Sequence, residues 1–165
     1  IQHDHILEPL KVAKLLHKIV EQENPSLILL GKQAIDDDCN QTGQMLAELC
    51  SYPQATFASE LTVNENSLKV IREVDQGLET LEIDLPAIVT TDLRMNEPRY
   101  VKLPDIMKAK KKPMDVMDAN DFEISLEPSI KVISVTPPPP RESGIMLDGV
   151  DQLFVALKDK GLINE

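Results

Sequence analysis

Residues 27–42 read LILLGKQAIDDDCNQT and continue as Gly43-Gln44-Met45-Leu46. Leu27, Ile28, Leu29 and Leu30 form a short apolar run with no polar alternation, closed by Gly31. A run of that length fits a strand buried on both faces, as in a parallel sheet. Gly31 lets the backbone turn sharply and leaves room for a close approach. Past the acidic tip Asp36-Asp37-Asp38, Asn40, Gln41 and Thr42 lead into an amphipathic segment over residues 45–49. Asn40 or Thr42 is the expected N-cap, so that the free N–H groups of a first helical turn point at the loop. Strand, glycine-containing loop and helix N-terminus together make the anion cradle of an α/β nucleotide site. The expected fold is α/β.

Upstream, residues 9–23 place Leu10, Ala13, Leu16, Ile19 and Val20 at helical spacing, with Pro9 in the first turn. That helix is expected to cover a sheet face. Downstream, residues 55–63, 68–74 and 78–83 alternate polar and apolar, with turns at 64–66 and 75–77. This predicts an antiparallel meander appended to the parallel sheet, one face wet. After Pro86, the β-branched run Ala87-Ile88-Val89-Thr90-Thr91 suits a central strand. Leu103 before Pro104 is expected to be extended and pushed outward, opening a short helix to Lys112. Residues 115–127 are acidic with little periodicity, and 131–135 read as one more short strand. Pro137-Pro138-Pro139-Pro140 is a polyproline spacer leading to an amphipathic helix over residues 148–160. The domain division is accordingly 1–136 for the α/β body and 137–165 for the proline-rich arm and its tethered helix.

At 165 residues the chain can bury a real core, and no apolar run approaches a membrane span, so direct membrane insertion is not expected. With 17 basic against 28 acidic residues the formal charge is −11, which argues against nucleic acid as a partner. Cys39 and Cys50 form neither a disulfide framework nor a metal spacing, and Cys39 is expected to be a buried, inert thiol. The carboxylates Asp36, Asp37 and Asp38 lack the alternating pattern of a calcium loop and are expected to be a solvated tip. His3 and His5 have no carboxylate or thiolate set to complete a metal site, so a solvated terminus is expected; His17 belongs on the polar side of its helix. No P-loop Lys-Ser/Thr pair, nucleophile–base set or metal cluster suggests hydrolysis, and no enzymatic site is expected.

The string LLGKQAIDDDCNQTGQ closely resembles the adenine-nucleotide loop of the electron transfer flavoprotein beta subunit family. Two further blocks agree, in order: residues 70–79 (VIREVDQGLE) with 85–90 (LPAIVT), and residues 93–112 (LRMNEPRYVKLPDIMKAKKK). Gln76 departs slightly, standing where the pattern prefers Gly or an acid. The resemblance implies a Rossmann-like, adenine nucleotide alpha hydrolase-like domain with an antiparallel hairpin extension and a C-terminal tethered helix. It also implies that this stretch is the later two-thirds of such a domain, the opening strands lying in a preceding third.

Further implications concern sites and partners. A structural AMP would be held by Leu30, Gly31, Lys32, Gln33, Ala34, Asp37, Cys39, Asn40, Gln41 and Thr42, its phosphate received at the helix start. FAD would be held mainly by an alpha subunit, forming a heterodimer that carries electrons from acyl-CoA dehydrogenases to a membrane quinone oxidoreductase. Glu73 would meet the flavin-bearing domain of that alpha subunit. Leu103, Pro104, Ile106 and Met107 would dock on the dehydrogenase within a basic rim, with Lys108 and Lys111 as methylation candidates. The tail helix would pack on the alpha subunit, and the implied location is the mitochondrial matrix. A stand-alone adenine-nucleotide sensor of the same superfold is the alternative, and it would need neither the Leu103 loop nor the tethered helix.

Overall fold

A computed structural model describes residues 1–4, 6–141 and 143–163, in two compact units, Ile1–Ile130 and Lys131–Glu165. The first unit runs α1 (Pro9–Glu23), β1 (Leu27–Gly31), α2 (Thr42–Cys50), β2 (Gln54–Val63), β3 (Ser67–Val74), β4 (Gly77–Asp84), β5 (Ala87–Thr91) and α3 (Leu103–Ala109), then a 3-10 turn at Ala119–Phe122. Its five-stranded sheet has the order β1-β5-β2-β3-β4. β5 lies parallel to both β1 and β2, whereas β2, β3 and β4 form an antiparallel meander. The mixed α/β sheet, the N-terminal helix and the meander all follow the periodicities of the sequence.

Alternation along β5 sends its side chains into two cores. Ile88 joins Ala13 of α1 with Leu46 and Ala47 of α2, and Leu16, Val20, Ile28 and Leu30 pack around them. On the other face, Ala87 and Val89 cluster with Ala55, Ala58, Leu68 and Val70, flanked by Leu81 and Ile83. A bend in β2 makes that second core possible. β4 ends at Asp84, opposite Ser67 at the far end of the meander, yet only Leu85 and Pro86 separate it from β5, where Ile88 lies opposite Gln54. A straight ten-residue β2 would hold those points ~30 Å apart, beyond the ~11 Å reach of a two-residue link. Register shifts between Ala55 and Ala58 and between Ala58 and Glu60 mark the bulges, and Phe57 there has φ 60°. Bulges bend and twist the strand that carries them, here turning the meander back over β5.

Four expectations are corrected. β1 is not enclosed on both faces: it is an edge strand, and Leu29 is 53% exposed. An apolar run records which faces tend to be covered, not whether the hydrogen-bonding edge has a neighbour. In α1, Leu10 is 36% exposed while Lys11 and Leu15 are buried. At 100° per residue, Lys11 and Leu15 lie opposite Ala13, so α1 is covered on two sides. The second cover comes from the stretch after α3, where a 3-10 turn touches α1 and the Ser129 and Ile130 amides donate to the Glu8 carboxylate at 2.6 and 3.0 Å. Leu103 is the first residue of α3 rather than an extended one; Lys102 is the extended cap, and the helix ends at Ala109, short of Lys112.

The second unit supplies the fourth correction. Residues 131–135 form no strand, and Val132, Ile133 and Val135 are exposed. A segment without a ladder partner has no place for its backbone hydrogen bonds except water. The tail helix α4 spans Val150–Asp159 and buries none of its residues, leaving Val150, Leu153, Phe154 and Val155 exposed. Among the described residues no helix is long and apolar enough to cross a membrane.

Candidate functional site

The parallel strands β1 and β5 end side by side, Gly31 paired with Thr91. In open α/β sheets, ligands bind beyond such carboxyl ends. A cleft of about 340 Å³ opens there, lined by Leu30, Gly31, Thr91, Asp92, Met95 and Asn96 among others. The chain leaves β1 through Lys32, whose amide donates to the Thr91 carbonyl at 3.0 Å. Its ammonium binds the Asp92 carboxylate at 2.7 Å and lies 5.9 Å from the centre of the Phe57 ring.

The loop then organises itself locally. The Gln33 side-chain amide donates to Asp38, and the Ala34 carbonyl accepts the Asp38 amide at 3.1 Å. Asp37 accepts the Cys39 amide at 3.1 Å, a turn of the kind acidic side chains favour. Asp38 and Asn40 adopt left-handed φ values of 55° and 53°, which these residue types tolerate. The loop tip places Cys39 in solvent, contrary to the buried thiol expected. Burial does act on the second cysteine, raising the Cys50 thiol above its usual range, with the Glu21 charge adding to the shift.

Where α2 begins, the cap differs from expectation. The N-cap is Gln41, not Asn40 or Thr42, and no side chain bonds to the first-turn amides. The side-chain amide of Gln44 instead donates back to the Asn40 carbonyl at 3.1 Å, leaving its own Oε1 buried without a partner among the described residues. The helix start is pressed onto β5: a Cβ on Gly43 would lie 2.3 Å from Thr90 Cγ2. Thr90 is fixed in turn, its hydroxyl accepting the Phe57 amide at 3.1 Å. Open amides, an unpaired acceptor and a glycine at the point of closest approach are what a phosphorylated nucleoside needs from a helix N-terminus.

Leu30, Gly31, Lys32, Gln33, Ala34, Asp37, Cys39, Asn40, Gln41 and Thr42 thus form one continuous strand–loop–helix junction. Glu73 stands apart on β3, yet it is connected to the junction. Arg94 binds its carboxylate at 2.8 Å and lies 3.6 Å from Asp92, which also accepts the Arg94 amide at 3.1 Å. The hydrogen bond from Lys32, then that from the Arg94 amide, holds the Asp92 carboxyl below the usual range. Asp92 and Arg94 were not expected at the site. The rule of carboxyl strand ends could have flagged Asp92, which follows the last residue of β5; nothing local marks Arg94.

Leu103, Pro104, Ile106 and Met107 lie on α3, which buries no residue; Leu103 is 71% exposed. Lys108, Lys110, Lys111 and Lys112 are exposed around it. Among the described residues, no three His, Cys, Asp or Glu side chains group as a metal site; His5 lies outside those residues.

Fold and junction define an α/β domain with a strand–loop–helix turn at the carboxyl ends of its parallel strands. The electron transfer flavoprotein domain profile matches residues 1–122, and the chain belongs to that family. It is 54% identical over 157 residues to electron transfer flavoprotein subunit beta of Homo sapiens, covering 95% of this chain and 62% of the relative. The Mus musculus protein of that name matches to the same extent. The mitochondrial subunit beta of Arabidopsis thaliana is 52% identical over 162 residues, covering 97% of this chain and 64% of its own. The chain therefore spans just under two thirds of the length of these relatives.

Proposed function

We propose that the chain is the beta-type subunit of an electron transfer flavoprotein, an electron carrier rather than an enzyme. The single observation that carries this reading is the uncapped start of α2, pressed onto β5 within the stretch that the family profile covers. That junction suits AMP. The amides of Gln41, Thr42 and Gly43 would receive the phosphate, and the orphaned Gln44 Oε1 would accept from a ribose hydroxyl or the adenine amino group. The nucleotide would brace the end of the sheet. The redox chemistry would belong to an FAD held mainly by the alpha subunit, whose cofactor this chain supports without reacting.

In this reading α3 is the docking element. Leu103, with Ile106 and Met107, offers an apolar knob to a dehydrogenase, and Lys108 to Lys112 give it a basic rim that speeds encounter with acidic surfaces. Methylation of Lys108 or Lys111 would keep the charge while removing hydrogen-bond donors. Glu73 would bias the flavin-bearing domain of the alpha subunit, and α4 would pack on that subunit. The heterodimer would take electrons from acyl-CoA and related dehydrogenases and pass them to a membrane quinone oxidoreductase in the mitochondrial matrix.

The test is to purify the native assembly, denature it and identify the released nucleotides by chromatography with mass detection. FAD and AMP in equal amounts, with a larger second chain, are expected. An adenine nucleotide alone, with neither flavin nor second chain, would favour a stand-alone sensor instead.

A further inference from the structure

Four side chains of alternating sign run from the nucleotide loop to β3: Lys32, Asp92, Arg94 and Glu73. The two outer gaps close at 2.7 and 2.8 Å, between Lys32 and Asp92 and between Arg94 and Glu73. The middle one, Arg94 to Asp92, is looser at 3.6 Å. Asp92 is the keystone, with one carboxylate oxygen on Lys32 and the other facing Arg94. Glu73 and Arg94 are more than half exposed, so a partner's cation can reach the glutamate, while Asp92 is mostly covered. At the other end, Lys32 directly follows Gly31, which lines the cleft between the two strand ends.

We propose that this chain of charges couples the nucleotide loop to Glu73, so that a phosphate at the loop and a cation at Glu73 favour one another. The inference rests on the adenylate reading above. A phosphate received at the start of α2 adds negative charge to the loop that carries Lys32 and so competes with Asp92 for the ammonium. Asp92, relieved of Lys32, draws Arg94 in across the loose gap, and Glu73 is released to an outside cation. In reverse, a cation that captures Glu73 hands Arg94 to Asp92, and Lys32 is freed for phosphate. Linkage makes the two effects equal. Glu73 is therefore held by Arg94 until either end of the row is occupied.

The test titrates the full chain with AMP and, as a control lacking phosphate, with adenosine. Glu73→Gln imitates capture of the glutamate, and AMP should bind about two- to five-fold tighter, the scale of an exposed ion pair. Arg94→Gln should weaken AMP. In the Arg94→Gln background, Glu73→Gln should change nothing, because the link is gone. Adenosine affinity should stay level throughout, and added salt should shrink every difference. Both side chains are exposed, so matching melting temperatures will show that the variants fold. AMP affinity unmoved by Glu73→Gln, or moved equally with and without Arg94, would overturn the coupling and leave the adenylate site standing. The second pattern is what long-range charge alone produces. No AMP uptake by the unmodified chain would overturn both.

Discussion

Asp92 carries a lysine on one carboxylate oxygen and an arginine beside the other, and Glu8 accepts two consecutive backbone amides. Glu8 is held below the ordinary carboxyl range chiefly by the Ile130 amide, as Asp92 is by Lys32. A folded-state pKa below the unfolded value gives stability that is present above the ordinary carboxyl range and lost as pH falls through the lowered value. Hydrogen exchange on acidification should therefore open residues 92–96 and 129–130 before the amides of β3. Uniform opening would refute that order. Gly43 carries a second prediction. Gly43→Ala should destabilise by about 1–3 kcal/mol through overpacking on Thr90, and Thr90→Ser should restore most of the loss, since it deletes the clashing methyl and keeps the hydroxyl that Phe57 uses. Denaturant unfolding of both variants and the double variant checks it. At this scale the sequence was only partly legible. The loop residues fall together because they are contiguous, whereas Lys32 meets Asp92 sixty positions away through strand order that no local pattern records. Cys39 was misjudged because its type is usually buried, while its place is set by the Asp37 turn.

Elements were more legible, because they depend on short-range period. Alternation identified β2, β3 and β4, and helical spacing identified α1, α2 and α4. Two features escaped. The 3-10 turn and its grip on α1 rest on tertiary contacts within an acidic stretch without periodicity, and the second buried side of α1 includes Lys11, which no polarity argument would place inside. α3 carries the prediction proper to an element. Leu103→Ala leaves the helix intact, since the residue packs on nothing buried, and should slow electron transfer from the dehydrogenase by about tenfold at limiting concentration, as for loss of an interfacial anchor. Nucleotide content should not change. Transfer at the unmodified rate from every dehydrogenase tested would remove α3 from the docking role.

For the whole molecule, the two units pose different problems of burial. The first has two cores; the second offers α4 with no buried residue. Phe154→Asp should weaken assembly with the alpha subunit by about tenfold or more while the melting of the first unit is unchanged, as read by light scattering and by calorimetry. Unaltered assembly would detach α4 from the interface. The strand order has a different consequence, for how the sheet is completed. The meander pairs neighbours in sequence and can close early, whereas β1 and β5 must meet across α2 and all of the meander. The β1–β5 pairing, with the cleft beyond it, closes the longest loop in the sheet, which on contact-order grounds puts it late. A nucleotide held there would select chains that have finished folding, so that occupancy doubles as a mark of completion before a partner is engaged.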